Sequence, residues 1–234
     1  MKKIQNRIKT LSGEFTKWDH LVSMFLEAEY SDENEFSEKE YQSVLIQLNN
    51  VLADALTTFA DFSGTKDKFS DPQYRLITMG QCLSIASEKM GIEFSFGIYQ
   101  NSFFIETFIQ YPWYLKSMDD SFWQLFLDLE ALGNFKFQES AIPSSPEARE
   151  ILKYTSKSKS NIFNVIRNYI LLESSGGSVD LGSLEISWPV STPWEDLLKN
   201  GIEAFKKLYR INYLLYRRYY LYLKSRKQNE SLMP

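Results

Sequence analysis

TPWEDLLKNGIEAFKKLYRINYLLYRRYYLYLKSRK, residues 192–227, reads as one long helix, and the expected architecture is built around it. Thr192 supplies a cap, Pro193 stands in the first turn where its missing N–H costs nothing, and Glu195 provides the acid of a capping box. From Pro193 to Lys227 there are 35 residues. Such a helix is roughly 50 Å long at about 1.5 Å per residue, enough to cross a domain.

At about 100° per residue, Lys199, Glu203, Lys206, Arg210, Arg217 and Lys224 fall in one narrow sector, with Lys207 and Arg218 at its edge. The opposite arc carries Leu197, Leu198, Ile202, Phe205, Leu208, Tyr209, Ile211, Leu215, Tyr216, Tyr219, Tyr220, Tyr222 and Leu223. It spans roughly 200°, wider than the stripe of an ordinary surface helix, so the helix is expected to pack on several sides as a structural spine. Gly201 and Asn212 lie inside this arc. Gly permits close backbone approach and a buried Asn must find hydrogen-bond partners, so both predict specific contacts.

Upstream, Ser37 and Glu40 form a capping box ahead of Tyr41, Val44, Leu45, Leu48, Val51, Leu52, Ala55, Leu56 and Phe59, whose three- and four-residue steps predict a helix. A further helix is expected over Phe15–Tyr30, with Trp18, Leu21, Val22, Phe25 and Leu26 inward. Asp71 as cap and Pro72 in the first turn predict another helix, running to Met90 and stopped by Gly91. Ile92, Phe94, Phe96 and Ile98 then alternate with Glu93, Ser95, Gly97 and Tyr99, the pattern of a half-buried strand. Phe103–Gln110 is apolar on all sides and fits helix or strand equally. Helices are expected from Asp119 or Asp120 to Leu132, from Ser145 and Pro146 to Tyr154, and over Asn161–Glu173. Val179, Leu181, Leu184, Ile186 and Trp188 predict one short strand or a hairpin before Pro189 interrupts the ladder. The expected fold is therefore mainly α: a multi-helix bundle with a long C-terminal helix and one or two short β-strands or a small hairpin. It forms a single helical domain, 1–234, with a loop or sub-boundary at the Ser/Gly-rich residues 174–178.

Composition narrows the function. Hydrophobic residues are 44% and aromatics 15% of the chain, which places it among folding rather than disordered sequences. A single cysteine, Cys82, cannot form an intramolecular disulfide or a multi-thiolate zinc site, which suits a reducing, cytoplasmic setting. The basic start Met1–Arg7 is not followed by an apolar run, so no signal peptide is expected. The apolar stretch Ile98–Leu115 is broken by Gln100, Asn101, Glu106, Gln110 and Pro112, so no transmembrane helix is expected either.

Recognised catalytic patterns are missing. His20, the one histidine, neighbours no nucleophile motif, and Cys82 sits in an apolar pattern that predicts a buried structural thiol. The ten glycines form neither phosphate-binding pattern, and Asp32-Glu33-Asn34-Glu35 departs from a calcium loop at Phe36, Ser37 and Ser43. No cofactor and no metal site is expected. A carboxylate-dependent enzyme leaves no spacing signature and stays as one alternative.

Charge is the remaining signal. Residues 206–227 hold eight of the 26 cations and no acid, which leaves 18 cations against 30 acids in the rest of the chain. Glu27, Glu29, Asp32, Glu33, Glu35, Glu38 and Glu40 place seven acids within fourteen residues. Such a patch would speed encounter with a basic partner and select among partners. In compactness, acidity, aromatic richness and lack of a catalytic motif, the chain resembles bacterial immunity proteins that neutralise polymorphic or contact-delivered toxins. The resemblance implies stoichiometric binding of a protein partner in the producing cell, without a cofactor. The first expectation is thus a non-catalytic inhibitor that binds a protein toxin through its acidic stretch. The alternative is a nucleic-acid-associated protein that uses the basic edge Lys206, Arg210, Arg217, Arg218 and Lys224, where cations neutralise phosphate and tyrosines stack on bases.

Overall fold

The helix expected from Asp71 to Met90 is replaced by two strands, β1 (Gln73–Arg75) and β2 (Gly80–Ala86), in the computed structural model, which describes residues 17–30, 37–75, 77, 80–139, 160–174 and 181–230. Every residue from Gly80 to Ile85 is buried. A strand covered on both faces loses the alternation that distinguishes it from a helix, which is why its apolar spacing misleads. Pro72 stands just before β1, at the end of the sheet, where a missing N–H is as harmless as in a helix's first turn.

Gly91 takes φ +67° in the turn that follows β2, instead of ending a helix. β3 (Glu93–Tyr99) then pairs antiparallel with β2, from Gly80 opposite Tyr99 to Ala86 opposite Glu93. The ambiguous run after it is β4 (Ser102–Phe108), and β5 (Asn134–Glu139) and β6 (Gly182–Pro189) complete a six-stranded sheet in the order β1-β2-β3-β4-β6-β5. The expectation of a mainly α bundle with one or two short strands or a small hairpin is therefore wrong. The chain has a six-stranded antiparallel sheet together with helices, an α/β fold.

The helices are α1 (Trp18–Tyr30), α2 (Glu38–Phe62), α3 (Asp120–Glu130), α4 (Asn161–Ser174) and α5 (Trp194–Glu230). A 3-10 turn covers Pro112–Ser117. The helix expected at 145–154 and residues 175–180, which include most of the Ser/Gly-rich stretch and Val179, lie outside the described residues, and from Leu181 to Trp188 the described residues carry one strand, β6.

The chain divides into two compact units, Met1–Glu106 with Ile186–Lys206 and Thr107–Glu185 with Lys207–Pro234, so β4, β6 and α5 each contribute to both. In the first unit α2 starts with the expected capping box: the Glu40 amide donates to Ser37 Oγ and the Ser37 amide donates to Glu40 Oε2 at 2.9 Å. Its buried stripe, Val44, Leu48, Val51, Leu52, Ala55, Leu56 and Phe59, follows the predicted spacing and lies against β2 and β3. Phe59 meets Phe96 edge-on at 4.9 Å, Phe94 meets Phe205 at 4.8 Å, and Trp18 meets Phe103 at 4.9 Å. Each fully buried aromatic of this kind contributes on the order of 1.5 to 3 kcal/mol of transfer free energy. Gly201 brings α5 up to Phe59: a Cβ there would fall 2.4 Å from the ring.

In the second unit, α4 packs on β5 and is tied to it by Asn161, which accepts from the Phe137 amide at 2.9 Å and donates to the Phe135 carbonyl at 3.1 Å. Asn212 is fully buried on α5. Its Oδ1 accepts from the Gln110 amide at 3.3 Å, and its Nδ2 donates to the Phe108 carbonyl at 3.1 Å and to Thr107 Oγ1 at 3.3 Å. The polar residue within an apolar arc thus satisfies the backbone just where β4 ends. Asp119 caps α3, accepting from the Phe122 amide at 3.1 Å and from Ser121 Oγ at 2.6 Å.

Candidate binding surface

Of the seven acids in the N-terminal stretch, Asp32, Glu33 and Glu35 lie outside the described residues. Glu29 is engaged within the fold, since it accepts from the Tyr41 hydroxyl at 2.5 Å and so joins α1 to α2. Burial, reinforced by that carboxylate, pushes the Tyr41 hydroxyl up to about 12. Glu40 closes the capping box, and the Ser37 hydroxyl and amide hold its carboxyl below the ordinary range. Glu27 and Glu38 are exposed. Two of the four described acids therefore serve to fix helix ends and joints.

The basic edge of α5 is distributed differently. Lys206 sits 3.6 Å from Glu203 one turn earlier, and Lys207 pairs with Asp128 of α3 at 2.8 Å, an interaction that lowers the Asp128 pKa. Arg210, Arg217 and Arg218 instead converge on one cleft of about 330 Å³. Arg210, Leu214, Arg217, Arg218 and Leu221 share one side of α5 through three- and four-residue steps. Met118, Asp119, Ser121 and Phe122 at the start of α3 form the facing wall. Asp119 is held below its ordinary range first by the Ser121 hydroxyl, then by the Phe122 amide, with Arg218 adding a smaller attraction. Among the described residues that line the cleft it is the one carboxylate, against three arginines.

Among the described residues, the broad apolar arc of α5 is buried only as far as Leu215. Tyr219 is still held, stacked on Tyr111 at 4.5 Å. Tyr220, Leu221 and Tyr222 are 54%, 48% and 53% exposed, beside exposed Arg217, Arg218 and Lys224. Helical spacing keeps Tyr220 and Tyr222 on the apolar arc, but there they are exposed, whereas most of the arc up to Leu215 is buried. The local composition carries a signal for this: from Arg217 onward cations recur on every side of the helix, and a helix end that must be buried does not tolerate them.

The groups considered for catalysis are separated by burial. His20 is exposed on α1, whereas Cys82 is fully buried in β2, where burial and then the nearby Glu106 push its thiol up to about 12. A thiol so placed is neutral near pH 7 and a poor nucleophile. Glu106 itself pairs with Arg75 at 3.1 Å. Among the described residues, no group of three His, Cys, Asp or Glu side chains is arranged to hold a metal ion, and no helix is long and apolar enough to cross a membrane. The chain matches no protein-family model, no curated protein and no solved structure.

Proposed function

We propose that this chain is a non-catalytic binding protein that captures an acidic protein partner on the second half of α5. The observation that carries this reading is the exposure of Tyr220, Leu221 and Tyr222 beside Arg217, Arg218 and Lys224. Tyr and Arg are the side chains that most often dominate interface energy, because they bury a large area and form directed bonds for little conformational cost. The resemblance to immunity proteins adds an inhibitory role, with a cognate toxin as the partner and stoichiometric association as the mode.

Nucleic acid is the second reading, supported by the same mixture of exposed tyrosines and cations. The charge distribution favours protein. Outside residues 206–227 the chain carries 18 cations against 30 acids, a field that opposes the long-range approach of a polyanion. A folded partner with a local acidic patch meets only the basic end of the helix. Glu27 and Glu38 remain the competing surface for a basic partner.

Reversing charge with Arg217→Glu, Arg218→Glu and Lys224→Glu together should weaken the complex with the cognate partner at least about tenfold, mainly through a slower association rate that added salt no longer reduces further. The partner is obtained by capture from the producing cell and matched to the neighbouring gene, and rates are read by surface plasmon resonance. Unchanged association would remove the α5 surface from the interface. Tight, steeply salt-dependent binding of a single-stranded oligonucleotide, with no protein captured, would favour the second reading.

A further inference from the structure

The cleft beside α3 differs from the open helix surface around it in both charge and depth. Three arginines, Arg210, Arg217 and Arg218, line the cleft with Asp119, the carboxylate among its described lining residues, whose Oδ1 accepts from both Ser121 Oγ and the Phe122 amide. An excess of two positive charges therefore borders the space. Its floor is apolar, made by the buried Phe122 together with Leu214. A volume of about 330 Å³ lies at the small end of ligand-binding cavities, which start at roughly 300 Å³. That is room for one compact group rather than a nucleotide or an extended cofactor.

We propose that this cleft seats a carboxylate borne on an apolar body: an acidic or C-terminal residue of the protein partner, with an adjoining apolar side chain resting on Phe122 and Leu214. On the protein-binding reading above, on which this rests for the source of the anion, the cleft is the anchor of the interface and Tyr220 and Tyr222 are its surround. The carboxylate meets arginine forks that can hold both its oxygens at once, and charge-assisted bonds of this kind are about twice as strong as neutral ones. The apolar floor gives up its water to the adjoining side chain. A bare anion would use the arginines and leave the floor idle, and a neutral apolar group would do the reverse.

The test uses the purified full-length chain and two matched probes, N-acetyl-phenylalanine and its neutral amide, followed by amide chemical shifts. The acid should bind saturably with one-to-one stoichiometry, shifting Phe122, Leu214 and Leu221, at least about tenfold more tightly than the amide. Arg217→Gln with Arg218→Gln should weaken the acid about tenfold while melting at the wild-type temperature, since both side chains are exposed. Lys199→Gln, exposed and outside the cleft, should leave it unchanged. Equal binding of acid and amide, equal binding of inorganic phosphate, or an equal loss in the Lys199→Gln variant would each overturn the proposal. The readout needs no partner, so failure here leaves the α5 surface standing. Conversely, a partner that binds the Arg217→Gln, Arg218→Gln chain as tightly as wild type would remove the anchor and leave the reading of the partner class intact.

Discussion

Replacing Gly201 by Val should lower unfolding stability by about 3 kcal/mol, because a packed interior has no volume to receive the added carbons. A Cβ at this position would stand 2.4 Å from two carbons of the Phe59 ring, well inside any tolerated contact. Phe59 cannot retreat: it is completely buried and already packed edge-on against Phe96 at 4.9 Å. Two effects compete in the milder Gly201→Ala. Removing Gly from a helix interior gains about 1 kcal/mol of propensity, while the steric cost is about 1 to 3 kcal/mol, so the net effect should run from none to a loss of about 2 kcal/mol. For a chain of this size the Val substitution corresponds to a melting-temperature fall of roughly 6 to 12 °C. Calorimetry of wild type and both variants reads this directly, and a Val variant that melts at or above wild type would show that α5 does not approach Phe59 as closely as described.

Asn212→Leu should cost about 2 to 4 kcal/mol although it makes the helix more apolar, because it strands the Gln110 amide that Asn212 satisfies. Leucine roughly matches the volume but returns no bond to that amide or to the Phe108 carbonyl. Desolvation of the Gln110 amide is then uncompensated, which outweighs the gain from burying an apolar side chain. The comparison is Arg210→Gln, two residues earlier and exposed, which should change stability by less than about 0.5 kcal/mol. Denaturant unfolding of the three proteins separates the cases. Equal stability of Asn212→Leu and wild type would mean that water replaces those bonds and that Asn212 is not the tie between α5 and the end of β4.

Much of the helical framework is legible in the sequence because its signals are local. Ser37 and Glu40 identify the start of α2, Asp119 that of α3, and the roles of Gly201 and Asn212 follow from their place inside an apolar arc. β3 is legible because Glu93 and Tyr99 are exposed at its ends and its apolar residues alternate. β2 is not, because its neighbours and the elements above it bury Gln81 and Ser84 as thoroughly as Leu83 and Ile85. Burial on both faces is a property of the sheet, which the local sequence does not contain. β5 does alternate, with Phe135 and Phe137 buried between the exposed Asn134, Lys136 and Gln138. Six residues directly after a helix end are too short a run to stand out.

The candidate surface was legible in composition and not in arrangement. Charge counting finds the acids from Glu27 to Glu40, and the capping box already commits Glu40 to Ser37, but only the fold brings Glu29 to the Tyr41 hydroxyl. Periodicity assigns Tyr220 and Tyr222 to the same arc as Leu208 and Ile211, yet it carries no information about whether anything covers that arc. The arginine cleft depends on α3, 89 residues before Arg210 if counted from Ser121, so no local pattern could have joined them.

The most direct measurement is hydroxyl-radical footprinting of the saturated complex with the cognate partner. Tyr220, Leu221 and Tyr222 should lose most of their labelling on binding, while Tyr74 and Tyr99, also exposed but on β1 and β3, should keep theirs. Full labelling of Tyr220 and Tyr222 in that complex would contradict the proposal that the partner docks on the second half of α5.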